Sequence, residues 1–218
     1  MGLDIESVAE ILRPDFEVVL VQEIQRGQFG RLQRALGAPF GSWTFKHRPV
    51  GRAAEGLGVL SMHQIDVRSV TISRGFAPWQ WQRRVAQVFS VQGRECVNTH
   101  LGTGADGCER ARQIERIVQC APRAELLAGD LNESDGPALG SLRSMGFVDA
   151  WAECDLQADD RGATNWSTND RTIEPDQRLD WVWTRGELRA VAAKLGDWRT
   201  TNALSDHVPL FVEISGFD

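Results

Sequence analysis

Tyrosine is absent from the 218 residues, lysine occurs only at Lys46 and Lys194, and cysteine only at Cys96, Cys108, Cys120 and Cys154. Cysteines this few and this far apart, with no CxxC or CxxH pair, exclude a disulfide framework and a zinc site; they are expected to be reduced, mostly buried thiols. No apolar run approaches the roughly 18 residues of a membrane-crossing helix. The start, Met1 to Glu6, has neither a basic n-region nor an apolar h-region, so the chain as it stands is expected in the cytoplasm. The lack of an amphipathic basic helix argues against stable membrane association. Cationic surplus is also missing: Lys+Arg 24 against Asp+Glu 30 gives a net charge of −6, without the broad basic surface that binding a polyanion usually needs. The preference for arginine over lysine reads as genome composition. What is there, 42% hydrophobic and 25% charged residues, is ordinary globular composition and excludes disordered and fibrous classes. No linker divides the chain, so a single domain over 1–218 is expected, and a monomer.

Apolar positions Ile5, Val8, Ala9, Ile11 and Leu12 recur at helical spacing up to Pro14. Phe16 to Val21 is a continuous β-branched and aromatic run, the pattern of a strand buried on both faces, delivering Gln22 and Glu23 at its end. Phe29, Leu32, Gln33 and Leu36 predict a second helix closed by Gly37. Strands are predicted at 42–47, 58–62, 67–73, 85–91 and 95–99, mostly in hairpins, with Gln92-Gly93 at one bend. A helix near 109–118, a strand at 125–128, the polar turn Gly129-Asp130-Leu131-Asn132, a helix near 137–145 and a short strand at 147–151 follow. Residues 155–177 form a long polar segment of the kind that is usually functional or disordered. Strands at 179–184, 188–193 and 208–214 complete a mixed pattern best buried by two face-to-face sheets with helices outside.

Polar residues follow several of these strands: Glu23, His100, Asp130 with Asn132, Asp180, and Asp206 with His207. Singly, each has an ordinary explanation as a cap, an Asx-turn or a core histidine. Together, five strand-end positions carrying carboxylate, amide and imidazole predict a site. Hard oxygen donors without cysteine suit Mg²⁺ or Mn²⁺, and two imidazoles can serve as base and acid, a combination that points to phosphoester hydrolysis.

The ordered set Val18-Val19-Leu20-Val21-Gln22-Glu23, Gly58-Val59-Leu60-Ser61, Asn98-Thr99-His100-Leu101, Arg110-x-x-Gln113, Gly129-Asp130-Leu131-Asn132, Arg178-Leu179-Asp180-Trp181 and Ser205-Asp206-His207-x-Pro209 resembles the endonuclease/exonuclease/phosphatase superfamily, in particular its compact bacterial metal-dependent hydrolases. The resemblance implies an α/β four-layer sandwich of two packed mixed sheets flanked by helices, and a divalent-metal phosphoesterase. It implies that Glu23 holds Mg²⁺ or Mn²⁺ with Asp206 as a further ligand. His207, its imidazolium favoured by Asp180, would be the general base or orient the water, and Asp130 would position or deprotonate that water. Asn132 would bind a nonbridging phosphate oxygen, and His100 would protonate the leaving oxygen or stabilise charge on the phosphate.

The chain departs from the family pattern in one respect: the usual opening strand ending in Asn does not precede the first helix. A start upstream of Met1, which would also leave room for a signal peptide, compensation within the fold, or loss of catalysis would each account for this, and the alternative function is a catalytically impaired binding protein on the same fold. The preferred substrate is a small soluble phosphodiester or phosphomonoester rather than nucleic acid. His47 and His63 read as surface or satisfied histidines, and the Trp79/Trp81 and Trp181/Trp183 pairs as core indoles. Trp166, in the polar segment, is the strongest candidate among the aromatics for a substrate contact, without that contact being the favoured reading, and Arg171 and Arg178 are expected in ion pairs near Asp170 and Asp176.

Overall fold

The computed structural model describes residues 4–13, 16–48, 53–73, 83–104, 107–154 and 162–217. Trp79 and Trp81 lie outside them. Helix α1 (Ile5–Leu12) starts where the Asp4 carboxylate accepts from the Ser7 amide, and α2 (Arg26–Leu36) ends at Gly37, whose left-handed φ of 68° lets its N–H reach the Arg34 and Gln33 carbonyls. Both helices lay their apolar stripes on one face of an antiparallel three-stranded sheet of β1 (Val18–Gln25), β3 (Glu55–Ser61) and β2 (Phe40–His47), in the order β1-β3-β2. Ile5, Ala9, Phe29, Leu32 and Leu36 meet Val19, Ile24 and Leu60 there.

The larger sheet has the order β4-β5-β6-β7-β9-β8, formed by Ile65–Ser73, Arg84–Val91, Arg94–His100, Leu126–Asp130, Asp180–Thr184 and Val148–Asp149. The β5–β6 hairpin turns at Gln92 and Gly93, both with positive φ (48° and 78°), as the tight right-twisting hairpin requires. Only β6 and β7 run parallel, because helix α3 (Gly107–Cys120) carries the chain between them. Side chains alternate along these strands. Val88, Val97, Leu127, Trp181 and Trp183 face α3 and α4 (Pro137–Ser144), while Phe89, Val91, Cys96, Leu126 and Ala128 face the inter-sheet layer with Val59, Val18 and Leu20.

A hairpin of β10 (Arg189–Leu195) and β11 (Leu210–Ser215) forms a third, two-stranded sheet, and Ile214 joins the same inter-sheet layer. The order of layers is therefore helix, sheet, sheet, helix, as expected. The smaller sheet layer, however, is antiparallel and consists of two separately hydrogen-bonded pieces, with β1 and β11 each at an edge. Two short helices, α5 (Ala150–Glu153) and α6 (Trp198–Thr201), carry no periodicity long enough to read in sequence; Asp149 and Asp197 cap them. No helix among the described residues is long and apolar enough to cross a membrane.

Candidate active site

β1 continues past the predicted end through Gln25, and the register with β3 slips between Val21 and Ile24. Glu23 sits in that bulge at φ 54°, a left-handed backbone uncommon for a residue with a Cβ, so the bulge re-aims a carboxylate that regular pleating would have placed in the sheet's alternation. Gln22 takes another path. Its Nε2 donates to Asn98 Oδ1 (2.9 Å), whose own amide donates to the Gly58 carbonyl and to Gln87 Oε1 (3.1 and 3.0 Å). Two motif residues thus form a buried amide network that joins the two sheets beneath the site.

At the parallel step between β6 and β7, His100 and Asp130 are register partners. Gly129 is required there, because a Cβ would lie 2.0 Å from the Thr99 carbonyl oxygen. Asp130 Oδ1 accepts the Asn132 amide (2.8 Å), and Asn132, at φ 50°, spends one side-chain N–H on the Leu101 carbonyl. Asp180, opposite Asp130 on β9, accepts His207 Nδ1–H at 2.6 Å, and His207 Nε2 stands 4.0 Å from Asp130 Oδ2. The His100 ring closes the other side, Nε2 at 3.5 Å from the same Asp130 oxygen and Nδ1 at 3.8 Å from Glu23 Oε1.

Lys46 completes the row. Its side chain is fully buried, and Nζ lies 3.0 Å from His100 Nδ1 and 3.2 Å from Glu23 Oε1. Arg84 is a second buried cation at the start of β5. Neither was read from sequence. Yet two lysines among 24 basic residues were a signal in a chain that otherwise writes its cations as arginine, and Lys46 is one of them.

Burial sets the electrostatics. It raises the Asp130 carboxyl, and the neighbouring Asp180 charge adds to this, bringing its pKa to about 7. Burial alone would depress His207, but the Asp180 hydrogen bond and the charges of Asp180, Asp130 and Asp206 overcome it and raise the imidazole to about 9. His100, buried beside Lys46 and Arg84, is held well below an ordinary histidine and so stays neutral. Burial and Arg84 lower Lys46 to about 8, with Glu23 opposing.

Asp206 is exposed, and its backbone carbonyl accepts from the Asn165 side chain (3.0 Å). Trp166 does not reach out to substrate; it is 7% exposed and donates to the Ile173 carbonyl, so the polar segment buries it after all. Arg178 pairs not with Asp176 but with Asp149, through two bonds of 2.8 and 2.6 Å, and its guanidinium lies 3.8 Å over the Trp181 ring. Arg171 donates to the Asn202 and Ser205 carbonyls rather than to Asp170. His47 and His63 are paired with Glu55 and Glu17, and Trp181 stacks on Trp183 at 5.6 Å. Arg110 and Gln113 hold the Glu133 carboxylate and the Gly102 amide, fixing loops below the site rather than lining it.

Thr164 was invisible in sequence. Fully buried, its hydroxyl accepts the Leu179 and Asp180 amides while its carbonyl accepts the Val208 N–H, so the long polar segment straps Asp180 to the chain beside His207. The Arg178–Asp149 pair braces the same strand entry. Because removing one partner leaves the other charge nearly buried, Asp149→Ala should destabilise the protein by about 3 kcal/mol. Denaturant unfolding of the variant checks this, and a loss within error of zero would show the pair to be incidental.

The sequence matches the Endonuclease/Exonuclease/phosphatase family over residues 2–207. The chain belongs to this family. A comparison with curated proteins finds no match. Among solved structures, the endonuclease/exonuclease/phosphatase from Bacteroides vulgatus is similar with a TM-score of 0.75 at 15% identity, covering 97% of this chain and 89% of that one. A mannosyl-6-phosphatase from Bacteroides thetaiotaomicron gives 0.69 at 16%, covering 97% and 90%. D. rerio TDP2 complexed with a single-strand DNA product gives 0.68 at 14%, covering 99% and 94%. These likenesses establish the fold.

Enzymes of this family generally use a divalent metal. Mg²⁺ takes carboxylates with several waters in an open oxygen environment. Here no group of three or more His, Cys, Asp or Glu side chains that could hold a metal exists among the described residues, and Glu23 Oε1 faces an ammonium at 3.2 Å. The side chains in this arrangement do not fit the ion.

Proposed function

We propose that this protein hydrolyses phosphoric esters by attack of a water that Asp130 deprotonates. What carries the reading is the continuous row Asp180–His207–Asp130–His100–Lys46, in which each group stands 2.6 to 4.0 Å from the next. A buried carboxylate with a pKa near 7 is a competent base at neutral pH. His207, kept as an imidazolium by Asp180, places positive charge where the phosphate gains negative charge. Neutral His100 offers Nε2–H to the leaving oxygen, and the second Asn132 N–H is available to a nonbridging oxygen. His207 therefore acts as a charged stabiliser rather than as the base.

The enzyme is read as a cytoplasmic monomer, and its net charge of −6, without a broad basic surface, favours a small soluble phosphodiester or phosphomonoester over nucleic acid. Glu23 and Asp206 would be the carboxylates for Mg²⁺ or Mn²⁺ only in an arrangement in which Lys46 has left Glu23. Hydrolysis of bis-p-nitrophenyl phosphate and p-nitrophenyl phosphate, with and without these ions, tests the reading against Asp130→Asn as the blank. Turnover of both esters no faster than this blank would leave the binding-protein alternative.

The protonation states also predict a pH profile. Asp130 must be ionised and His207 protonated, so kcat/KM should rise through about 7 and fall through about 9. With the two groups 4.0 Å apart, these limbs belong to the pair. A profile rising monotonically to pH 10 would instead make neutral His207 the base.

A further inference from the structure

We propose that Lys46 is the built-in cation of this site: its ammonium occupies the position at Glu23 that a divalent ion would take, so that ion binding is an exchange against Lys46, and it fixes the tautomer of His100. The inference rests on the phosphoesterase reading only for its catalytic consequence. Its structural basis is separate.

A lysine with no exposed side-chain surface is rare, since desolvating an ammonium is costly unless its N–H groups are satisfied. Lys46 meets that condition through the Glu23 carboxylate (3.2 Å) and the His100 ring (3.0 Å). An ammonium has donors and no acceptor. His100 Nδ1 must therefore accept, which places the ring proton on Nε2, on the side of Asp130 (3.5 Å). The lysine thus holds His100 as a neutral donor aimed into the site, acting on the reaction through another residue as a positioning group.

The same placement opposes metal. A divalent ion at Glu23 Oε1 would share that oxygen with a unit positive charge 3.2 Å away, and like charges that close in a partly buried site repel. Glu23 itself is 58% exposed, so removing the ammonium leaves a hydrated carboxylate rather than a stranded buried charge. Lys46→Met, close in length and apolar, suits the buried stem.

The experiment is a Mn²⁺ titration followed by loss of the free-ion electron spin resonance signal, on wild type, Lys46→Met, Lys46→Arg and the double variant Lys46→Met/Glu23→Gln. Lys46→Met should bind Mn²⁺ at least tenfold more tightly than wild type. Lys46→Arg should stay weak, and the double variant should lose the gain. Equal affinities of wild type and Lys46→Met, or a gain that survives Glu23→Gln, overturn the exchange. Should Lys46→Met not fold, wild-type binding of Mn²⁺ at micromolar concentrations overturns it. Ester hydrolysis on the same samples separates the two readings: affinities that shift as stated without turnover in any sample retain the exchange and remove the hydrolase, and turnover with unshifted affinities does the reverse.

Discussion

His207→Ala should lower kcat by about 10²- to 10³-fold, the range for removing one preorganised group that stabilises charge developing in the transition state. The imidazole lies between Asp180 at 2.6 Å and Asp130 at 4.0 Å, and no other imidazole can replace it, because His100 is held on the opposite side of Asp130 by Lys46. Asp180→Asn keeps the ring but removes the charge that orients it and sustains its proton, so a comparable loss is expected, by analogy with the aspartate of a Ser-His-Asp triad. The alkaline limb of the pH profile should also move down from about 9. KM should change little in either variant, since the imidazolium acts where charge develops in the transition state and Asp180 acts through it. Steady-state kinetics on the two single variants and the double variant decide the matter. A double variant no worse than His207→Ala identifies one functional unit, whereas strictly additive losses would show that Asp180 and His207 act apart.

Asp130→Asn should be as severe, about 10³-fold in kcat within the same range, while the folded state loses nothing. The amide oxygen of Asn can still accept the Asn132 N–H that Oδ1 accepts at 2.8 Å. The sign of the linkage favours the variant. A carboxyl whose pKa is raised on folding, from the usual 3.8 to about 7, makes the native state bind protons more strongly than the unfolded chain. It therefore costs stability progressively as pH climbs from the unfolded value through the folded one. The asparagine has no such cost, so its Tm at pH 8 should equal or exceed that of wild type. A clearly lower Tm would mean that lost activity reports unfolding rather than chemistry.

Most of the strands and the long helices were legible because their apolar periodicity is a local property. The β4–β5–β6 meander, the cap at Gly37 and the Gln92-Gly93 turn each follow from a few neighbouring residues. The site residues His100, Asp130, Asp180 and His207 were legible because polar groups just past buried strands stand out against the run before them. The burial of Trp166 was not legible for the converse reason. Its burial comes from backbone bridges of Asn165 to Gln177 and His207, partners that no local pattern announces. Arg178 failed the same way, its partner Asp149 lying 29 positions away.

The sequence alone determined the layer order, the family and the polar strand-end residues that the fold brings together, since hydrophobic period and strand-end polarity are written in consecutive residues. Only the tertiary structure decided what those side chains are. It turned Gln22 and Asn98 into a cross-sheet staple, raised His207 and Asp130 to opposite protonation states, and set the buried ammonium of Lys46 against Glu23. The physical reason is that charge states and hydrogen-bond partners depend on burial and on separations of a few Å between groups far apart in the chain, which no reading of neighbouring residues contains.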